Sequence, residues 1–187
     1  WNEHLRSMGV DESIVNEMQQ DVKRLNTITD RFSKIGSQPT LVPSDINQVL
    51  IDAIEYLKNR TSKNTNYSLK LPEEHLQVHL CVPLFEWVIE NICKNAIDAM
   101  EGKGDIEVAL IDVPEGLFVD ISDTGKGIPK SKFKTVFEPG YTSKQRGWGL
   151  GLSLCKRIIE IYHNGKIFVL KSEINKGTTF RIALKRE

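Results

Sequence analysis

Long hydrophobic runs are absent from this sequence, and neither charge sign is in excess. No apolar run approaches the roughly 18 residues that span a bilayer, so we expect no membrane contact within this segment. Lysine plus arginine and aspartate plus glutamate each total 25, which gives a formal net charge of zero. Without a global positive field we expect no binding to nucleic acid, and any phosphate site must be local.

Cysteine is scarce, and an initiating methionine and a secretory leader are both missing. Cys81, Cys93 and Cys155 are odd in number, lack a Cys-x-x-Cys spacing and lie in apolar surroundings. They are typical of reduced core thiols in a cytosolic protein, and they argue against a metal centre. We therefore expect a cytoplasmic fragment of a longer protein, whose remainder can include a membrane anchor.

Apolar residues recur every three or four positions between residues 11 and 36, which predicts one long helix with a single apolar seam. The seam consists of Ile14, Met18, Val22, Leu25, Ile28, Phe32 and Ile35. Asp11 or Ser13 can cap the start of this helix, and Gly36 its end. It either lies on the core of its own domain or forms half of a dimerising helical hairpin. The Gly-Ser-Gln-Pro break that follows favours the hairpin.

Residues 39–187 contain several helical and strand patterns, which predict an α+β fold built as a two-layer sandwich. Helices are predicted from about Asp45, Pro83 and Leu150. Strands are predicted at 67–71, 76–81, 105–113, 116–123, 165–173 and 177–186, mostly paired with their neighbours in sequence. Residues 124–147 show little periodicity, and a connection of that length is typical of a functional lid.

The stretch "DISDTGKGIP" places Asp123 after an apolar run and just before Gly125 and Gly127. A carboxylate accepts hydrogen bonds from an amino group, and glycines let the backbone approach a ligand closely. A flat nitrogenous ring is therefore one candidate guest. An ordinary turn between two strands has the same composition, so this motif alone leaves both interpretations open.

The helix predicted after Pro83 carries Asn91, Asn95 and Asp98 on one face of an otherwise apolar segment. Such polar groups are costly to bury unless they meet a ligand or partners, and asparagine oxygens suit Mg²⁺ that is shared with phosphate. The alternative is a solvated helix face. Further along, "GWGLGL" opens a helix with glycines, which is typical of a phosphate seat. Between the two glycine motifs, "FEPGYTSKQRG" supplies hydroxyls and cations suited to a triphosphate.

Taken in order, these motifs resemble the N, G1, F and G2 boxes of the histidine protein kinases. The resemblance covers roughly residues 40–187 and implies the GHKL ATP-binding sandwich in 39–187, with ATP and Mg²⁺ as cofactors under a mobile lid. It also implies that residues 1–38 are a partial dimerisation hairpin, of which only the second helix is present. His4, the only nearby histidine, lacks the acidic neighbour and the downstream proline of a phosphoacceptor motif.

The resemblance implies that Asn95 chelates Mg²⁺, that Asp123 accepts a hydrogen bond from the adenine amino group, and that Thr178 or Thr179 assists. The full set of implied nucleotide-binding residues is Asn91, Lys94, Asn95, Asp98, Asp123, Gly125, Gly127, Ile128, Tyr141, Thr142, Ser143, Lys144, Gly147, Gly149, Leu150, Gly151, Leu152 and Thr178.

Four residues are implied in catalysis: Glu90, Asn91, Lys144 and Arg146. Hydrolysing members of the superfamily carry a glutamate at the place of Asn91, and an amide cannot act as a general base. We therefore expect poor hydrolysis, which leaves the γ-phosphate for a protein nucleophile. Glu90 is a hypothesis for activating the phosphoacceptor, and the two lid cations are expected to meet the outer phosphates.

The resemblance implies transfer of the ATP γ-phosphoryl group to a histidine outside this segment, and from there to an aspartate of a response-regulator receiver domain. The full-length protein is expected to be a homodimer. Two other functions stay open at this point: a GHKL-type ATPase that drives a conformational cycle, and a non-catalytic nucleotide-binding module. The anti-sigma serine kinases share the same pocket, but the long N-terminal seam favours the histidine kinases.

Overall fold

The computed structural model describes residue 15 and residues 39–61, 64–142 and 149–185. The chain divides into two units, Trp1–Pro39 and Thr40–Glu187. In the first unit only Val15, buried in a helix, and Pro39 are described. The predicted seam, its caps, His4 and the dimerisation hairpin lie outside the described residues and stay predictions.

The second unit alternates strands and helices. Its strands are β1 (Val42–Asp45), β2 (Thr65–Lys70), β3 (Gln77–Leu80), β4 (Gly104–Val113), β5 (Gly116–Asp123), β6 (Lys166–Glu173) and β7 (Gly177–Leu184). Its helices are α1 (Ile46–Lys58), α2 (Val82–Ala99) and α3 (Gly151–Arg157), the last continued by a π-helical turn, Ile158–Tyr162. Two 3₁₀ turns, Lys130–Lys132 and Thr135–Phe137, lie within the segment of little periodicity that was predicted to form a lid.

The helix boundaries follow from the local sequence. Asp45 caps α1, because its side chain accepts hydrogen bonds from the backbone N–H groups of Asn47 and Gln48. Pro83 lies in the first turn of α2, where its missing N–H has no partner to lose. Among the described helices, none is both long and apolar enough to cross a bilayer.

Five strands form one mixed sheet in the order β2-β4-β5-β7-β6. β2 runs parallel to β4, and the other pairs are antiparallel. The predicted α+β sandwich is confirmed. β2 and β3 follow each other in sequence but do not pair, because β3 pairs with β1 in a separate two-stranded sheet. β1 was not predicted, and its Pro43 suits an edge strand because it needs no ladder donor.

The core lies between the helices and one face of the five-stranded sheet. α2 packs on β4, β5 and β7, with α1 and α3 against it. Val88, Ile89, Ile92 and Cys93 on its buried side are fully enclosed, as predicted. Burial raises the pKa of the Cys93 thiol to about 12, so this cysteine is an inert core thiol. This packing leaves the polar face of α2 beside the end of β5 and the start of β7.

A buried imidazole joins the ends of two helices. His163 follows the π-helical turn, and its Nε2 accepts a hydrogen bond of 3.1 Å from the backbone N–H of Cys81, the residue before α2. Its Nδ1 therefore carries the proton and donates to the carbonyl of Ile158 at 2.9 Å. Burial lowers the pKa of His163, which favours this neutral form. The pair of bonds fixes where α3 ends relative to α2.

Candidate functional site: a cavity between α2, the Asp123 loop and α3

A cavity of about 480 Å³ opens beside the polar face of α2. Segments far apart in sequence line it: α2, the loop after β5, the start of α3 and the start of β7. The lining residues are Asn91, Asn95, Ala96, Asp98, Ala99, Asp123, Lys126, Gly127, Ile128, Pro129, Val136, Tyr141, Thr142, Gly149, Leu150, Gly151, Leu152, Thr178 and Phe180. This volume falls within the range usual for sites of small molecules and cofactors.

Asp123, the last residue of β5, is the buried acid of this cavity and only 8% exposed. Burial raises the pKa of its carboxyl group, while hydrogen bonds from the backbone of Gly125 and Thr178 act in the opposite direction. The bond from the Gly125 N–H to Oδ1 is 2.8 Å long. A carboxylate held in so little water is a strong acceptor for a donor that enters the cavity.

The two glycines after Asp123 let their loop lie flat against its neighbours. A Cβ on Gly125 would lie 2.8 Å from backbone and side-chain atoms of Ala99. Gly127 has a φ of +74°, and a Cβ there would overlap the carbonyl of Glu173. The N–H of Lys126 donates to the carbonyl of Ala99 at 3.0 Å, and its carbonyl accepts from Asn175 at 2.9 Å. The loop is therefore held between the end of α2 and the β6–β7 turn. Gly125 supports the cavity without lining it.

The polar face predicted on α2 is present. Asn91, Asn95 and Asp98 all line the cavity. Glu90, one position earlier, is 7% exposed and forms an ion pair of 3.0 Å with Lys94. Neither residue of this pair lines the cavity. The proposed roles of Glu90 and Lys94 therefore stay predictions about the surroundings of the cavity rather than about its wall.

The start of α3 closes the cavity opposite the Asp123 loop. Gly149 has a φ of +65°, and a Cβ there would collide with the backbone of Gly140. A Cβ on Gly151 would lie 2.7 Å from Oδ1 of Asn91. The second glycine thus allows α3 to approach α2 closely. α3 begins at Gly151, one residue after the predicted start, and Leu150 gives it no side-chain cap. No side chain at the N-cap position competes for the first N–H groups of α3, so these groups can donate to a ligand.

The segment predicted to form a lid is only partly described. Tyr141 and Thr142 line the cavity, whereas Ser143, Lys144, Arg146 and Gly147 lie outside the described residues, so their roles stay predictions. Val136 also lines the cavity. Phe137 is buried and meets Phe180 edge to face at 6.1 Å, which anchors this end of the lid segment on β7.

The sequence left open whether the hydroxyl that assists adenine recognition belongs to Thr178 or Thr179. The alternation of side chains along β7 puts these two hydroxyls on opposite faces of the sheet. Thr178 faces the cavity. Thr179 points to the other face of the sheet, where its hydroxyl lies 2.8 Å from that of Ser122.

Sequence reasoning missed six lining residues: Ala96, Ala99, Lys126, Pro129, Val136 and Phe180. Ala96 and Ala99 each follow a predicted polar residue directly, so their small size next to Asn95 and Asp98 was an available signal. Phe180 lies two positions after Thr178 on the same face of β7, which strand alternation alone predicts.

Together, the fold and the cavity define a two-layer sandwich with a cavity between the polar face of α2, the glycine loop after β5 and the start of α3. Residues 82–187 match the family described as histidine kinase-, DNA gyrase B-, and HSP90-like ATPase, and the chain belongs to this family. The predicted resemblance is confirmed.

Relatives and solved structures agree with this assignment. The chain is 30% identical to sporulation kinase D of Bacillus subtilis (strain 168) over 179 residues, which are 93% of this chain and 35% of that protein. It therefore spans about a third of the length of that curated relative. The nucleotide-free catalytic domain of histidine kinase ThkA has a TM-score of 0.70 and 27% identity, covering 78% of this chain and 95% of that one. ThkA in complex with response regulator protein TrrA has a TM-score of 0.72, covers 94% of this chain and 51% of that one, and at 24% identity shows the fold alone.

Proposed function

We propose that this chain is the ATP-binding catalytic part of a sensor histidine kinase. One observation carries the proposal: a buried carboxylate, Asp123, and two asparagines of α2, Asn91 and Asn95, line one cavity that a glycine-opened helix closes. The relatives and the ThkA catalytic domain support the kinase class.

Each part of the cavity suits one part of ATP. The Asp123 carboxylate accepts from the adenine amino group, and the flat loop at Gly125 and Gly127 admits the ring. The N–H groups at the start of α3 bind phosphate oxygens, because they lack intrahelical partners and lie at the positive end of the helix dipole. Lys144 and Arg146 in the lid neutralise the outer phosphates. ATP is thereby held by groups that bind and orient it.

The residues that line the cavity suit Mg²⁺, and they do not suit a metal ion whose ligands are all protein side chains. Among the described residues no three histidine, cysteine or acidic side chains cluster as a metal site. An amide oxygen of Asn95, completed by phosphate oxygens and water, is the sparse protein ligand set that Mg²⁺ accepts. When bound, Mg²⁺ neutralises charge on the phosphates.

Asn91 favours phosphoryl transfer over hydrolysis. It lines the cavity, and an amide is too weak a base to take a proton from an attacking water. The bond between the γ-phosphorus and the β,γ-bridging oxygen breaks, a phosphorus–nitrogen bond forms to an imidazole outside this segment, and ADP leaves. Glu90, paired with Lys94 and adjacent to Asn91 in sequence, is our candidate for activating that acceptor.

The partners follow from this reaction. A response-regulator receiver domain takes the phosphoryl group on an aspartate, as a partner of the class of TrrA, and the full-length protein works as a homodimer. Because ATP and such regulators are cytoplasmic, we place this segment in the cytoplasm. No nucleic acid takes part.

The test is a calorimetric titration of the chain with a non-hydrolysable ATP analogue, with and without Mg²⁺. Asp123→Ala should weaken binding about 10- to 100-fold, the value of a charged hydrogen bond in a site without water. Asn95→Ala should mainly remove the gain from Mg²⁺. Asp112→Ala, an exposed acid near the other end of β5 in the β4–β5 register, is the control and should bind normally. Undiminished binding by Asp123→Ala would contradict the proposal.

The ATPase alternative is tested separately by ATP turnover. A hydrolysing member of the family should release phosphate from ATP without any partner, whereas this chain should turn ATP over very slowly. Adding a polypeptide with the phosphoacceptor helix of a related kinase should yield acid-labile phosphohistidine. If the chain binds ATP yet no acceptor is phosphorylated, it is a nucleotide-binding module without transferase activity.

A further inference from the structure

Ser172, which has no role in the proposed function, lies where β6, the loop after β5 and the start of β7 meet. Its hydroxyl oxygen accepts the backbone N–H of Ile128 at 2.7 Å and donates to the carbonyl of Gly177 at 2.9 Å. The same oxygen lies 2.9 Å from Oγ1 of Thr178, its cross-strand partner on β7. Ser172 itself does not line the cavity, whereas Ile128 and Thr178 both do.

The hydrogens of this junction can be assigned by counting. A serine hydroxyl has one hydrogen to give, and a carbonyl oxygen can only accept. The Gly177 carbonyl therefore takes the hydrogen of Ser172, and Thr178 must donate its own hydrogen to the Ser172 oxygen. In no other arrangement are all three contacts hydrogen bonds at once.

This assignment makes the Thr178 hydroxyl a hydrogen-bond acceptor only. With its hydrogen committed to Ser172, Oγ1 of Thr178 offers only lone pairs to anything on its open side. Thr178 adjoins Asp123, whose carboxyl group is hydrogen-bonded by the Thr178 backbone, and both residues line the cavity. This corner of the cavity therefore presents two neighbouring acceptors.

Two acceptors discriminate between purines. The exocyclic amino group of a 6-aminopurine has two N–H donors. They can reach the two acceptors directly or through one water. The oxygen of a 6-oxopurine is an acceptor, which leaves buried acceptors unpaired or opposed.

We propose that Ser172 is a positioning residue for base selection: by binding the Thr178 hydrogen it holds Thr178 as an acceptor, so that the cavity prefers 6-aminopurine nucleotides to 6-oxopurine nucleotides. The inference rests on the proposed function, because only that function puts a purine nucleotide in the cavity. Ser172 acts through Thr178 and does not touch the base.

The test compares the dissociation constants of ATP and inosine triphosphate, which share ribose and phosphates, for the full chain. Ser172→Ala frees the Thr178 hydroxyl to rotate and donate, so the preference for ATP should fall about fivefold, the worth of one hydrogen bond. Ser172→Thr keeps the hydroxyl and should restore the preference. The matched control is Ser122→Ala, which removes the same kind of serine–threonine pair, with Thr179, on the other face of the sheet. It should leave the ratio unchanged.

A double mutant separates this role from general support of the fold. Thr178→Val should lower the preference by itself, and Ser172→Ala should then lower it no further, because the hydroxyl through which Ser172 acts is gone. Additive losses would mean that Ser172 acts by another route and would overturn the inference. If Ser172→Ala does not fold, Ser172→Thr and Thr178→Val still decide: a full preference in Thr178→Val overturns it.

Failure of the inference is distinguishable from failure of the proposed function. A wild-type chain that binds neither nucleotide overturns both. A wild-type chain that binds ATP tightly, with a preference that Ser172→Ala keeps in full, overturns the inference alone.

Discussion

At the residue scale, the acid of the site derives its chemistry from its surroundings. Asp123 is recognisable in the sequence because it ends an apolar strand and precedes two glycines. Its raised pKa is caused by burial, which depends on α2, β7 and the loop closing round it. The ionised form of Asp123 is destabilised by the loss of water, and a hydrogen-bond donor that binds in the cavity offsets part of this cost.

Asp123→Asn should therefore change how stability depends on pH. The folded-state pKa of Asp123 lies above its ordinary value of 3.8, so the folded chain holds more protons than the unfolded chain in that window. By linkage, its contribution to the free energy of unfolding falls as pH rises above 3.8 and stays low at neutral pH. Urea unfolding at a series of pH values should show the variant gaining stability relative to wild type as pH rises. A constant difference would contradict this.

Gly151→Ala should damage the site more than the fold. The new Cβ would lie 2.7 Å from Oδ1 of Asn91, a side chain that can move, so we expect a stability change within about 1 kcal/mol. The displaced Asn91 should weaken binding of the ATP analogue about tenfold, equivalent to about 1.4 kcal/mol. In an Asn91→Ala background the same glycine substitution should have little further effect, because space is then free. An equal loss in both backgrounds would show that Asn91 is not the cause.

At the element scale, the sheet is held across β5 and β7 by a pair on the face turned away from the helices. The guanidinium of Arg181 donates two hydrogen bonds to the carboxylate of Asp120, at 2.6 and 2.7 Å. It also lies over the ring of Phe118, 4.6 Å from the centroid. The two side chains are 20% and 13% exposed, so water screens them little. This geometry suits arginine alone, since lysine cannot offer a planar fork.

Arg181→Ala should accordingly cost about 1.5 to 3 kcal/mol of unfolding free energy, the range for hydrogen bonds to charged groups. Arg181→Lys should recover only part of it. The comparison is Lys70→Ala, which breaks an ion pair with Glu107 whose partners are 67% and 40% exposed. That loss should stay below about 1 kcal/mol. Denaturant titration of the three variants measures both effects, and similar losses for the two alanine variants would refute the distinction.

At the scale of the whole molecule, the second unit has its own core and its own cavity. The described residues that line the cavity belong to Thr40–Glu187, as do the described buried residues of the sheet and its helices. We therefore expect this unit to be an independently folding domain.

A chain that begins at Pro39 should fold cooperatively and bind the ATP analogue with a dissociation constant within about twofold of the full chain. Circular dichroism during thermal unfolding and calorimetric titration measure the two properties. A shortened chain that unfolds without a cooperative transition would show that residues 1–38 are needed for the core. A folded chain that no longer binds would place part of the site outside the second unit.

The sequence by itself determined the class of fold, the family and most of the cavity lining. Local patterns were enough for this, because they reflect short-range chemistry. They are strand alternation, the helix cap at Asp45, the first-turn proline at Pro83, and motifs such as Asp123 with its glycines. Tertiary structure alone decided that β3 leaves β2 to pair with β1, that Thr178 rather than Thr179 faces the cavity, and that the hydroxyl of Ser172 contacts the hydroxyl of Thr178. These outcomes depend on which segments, distant along the chain, come into contact, and no local pattern records the hydrogen bonds and steric limits set by such contacts.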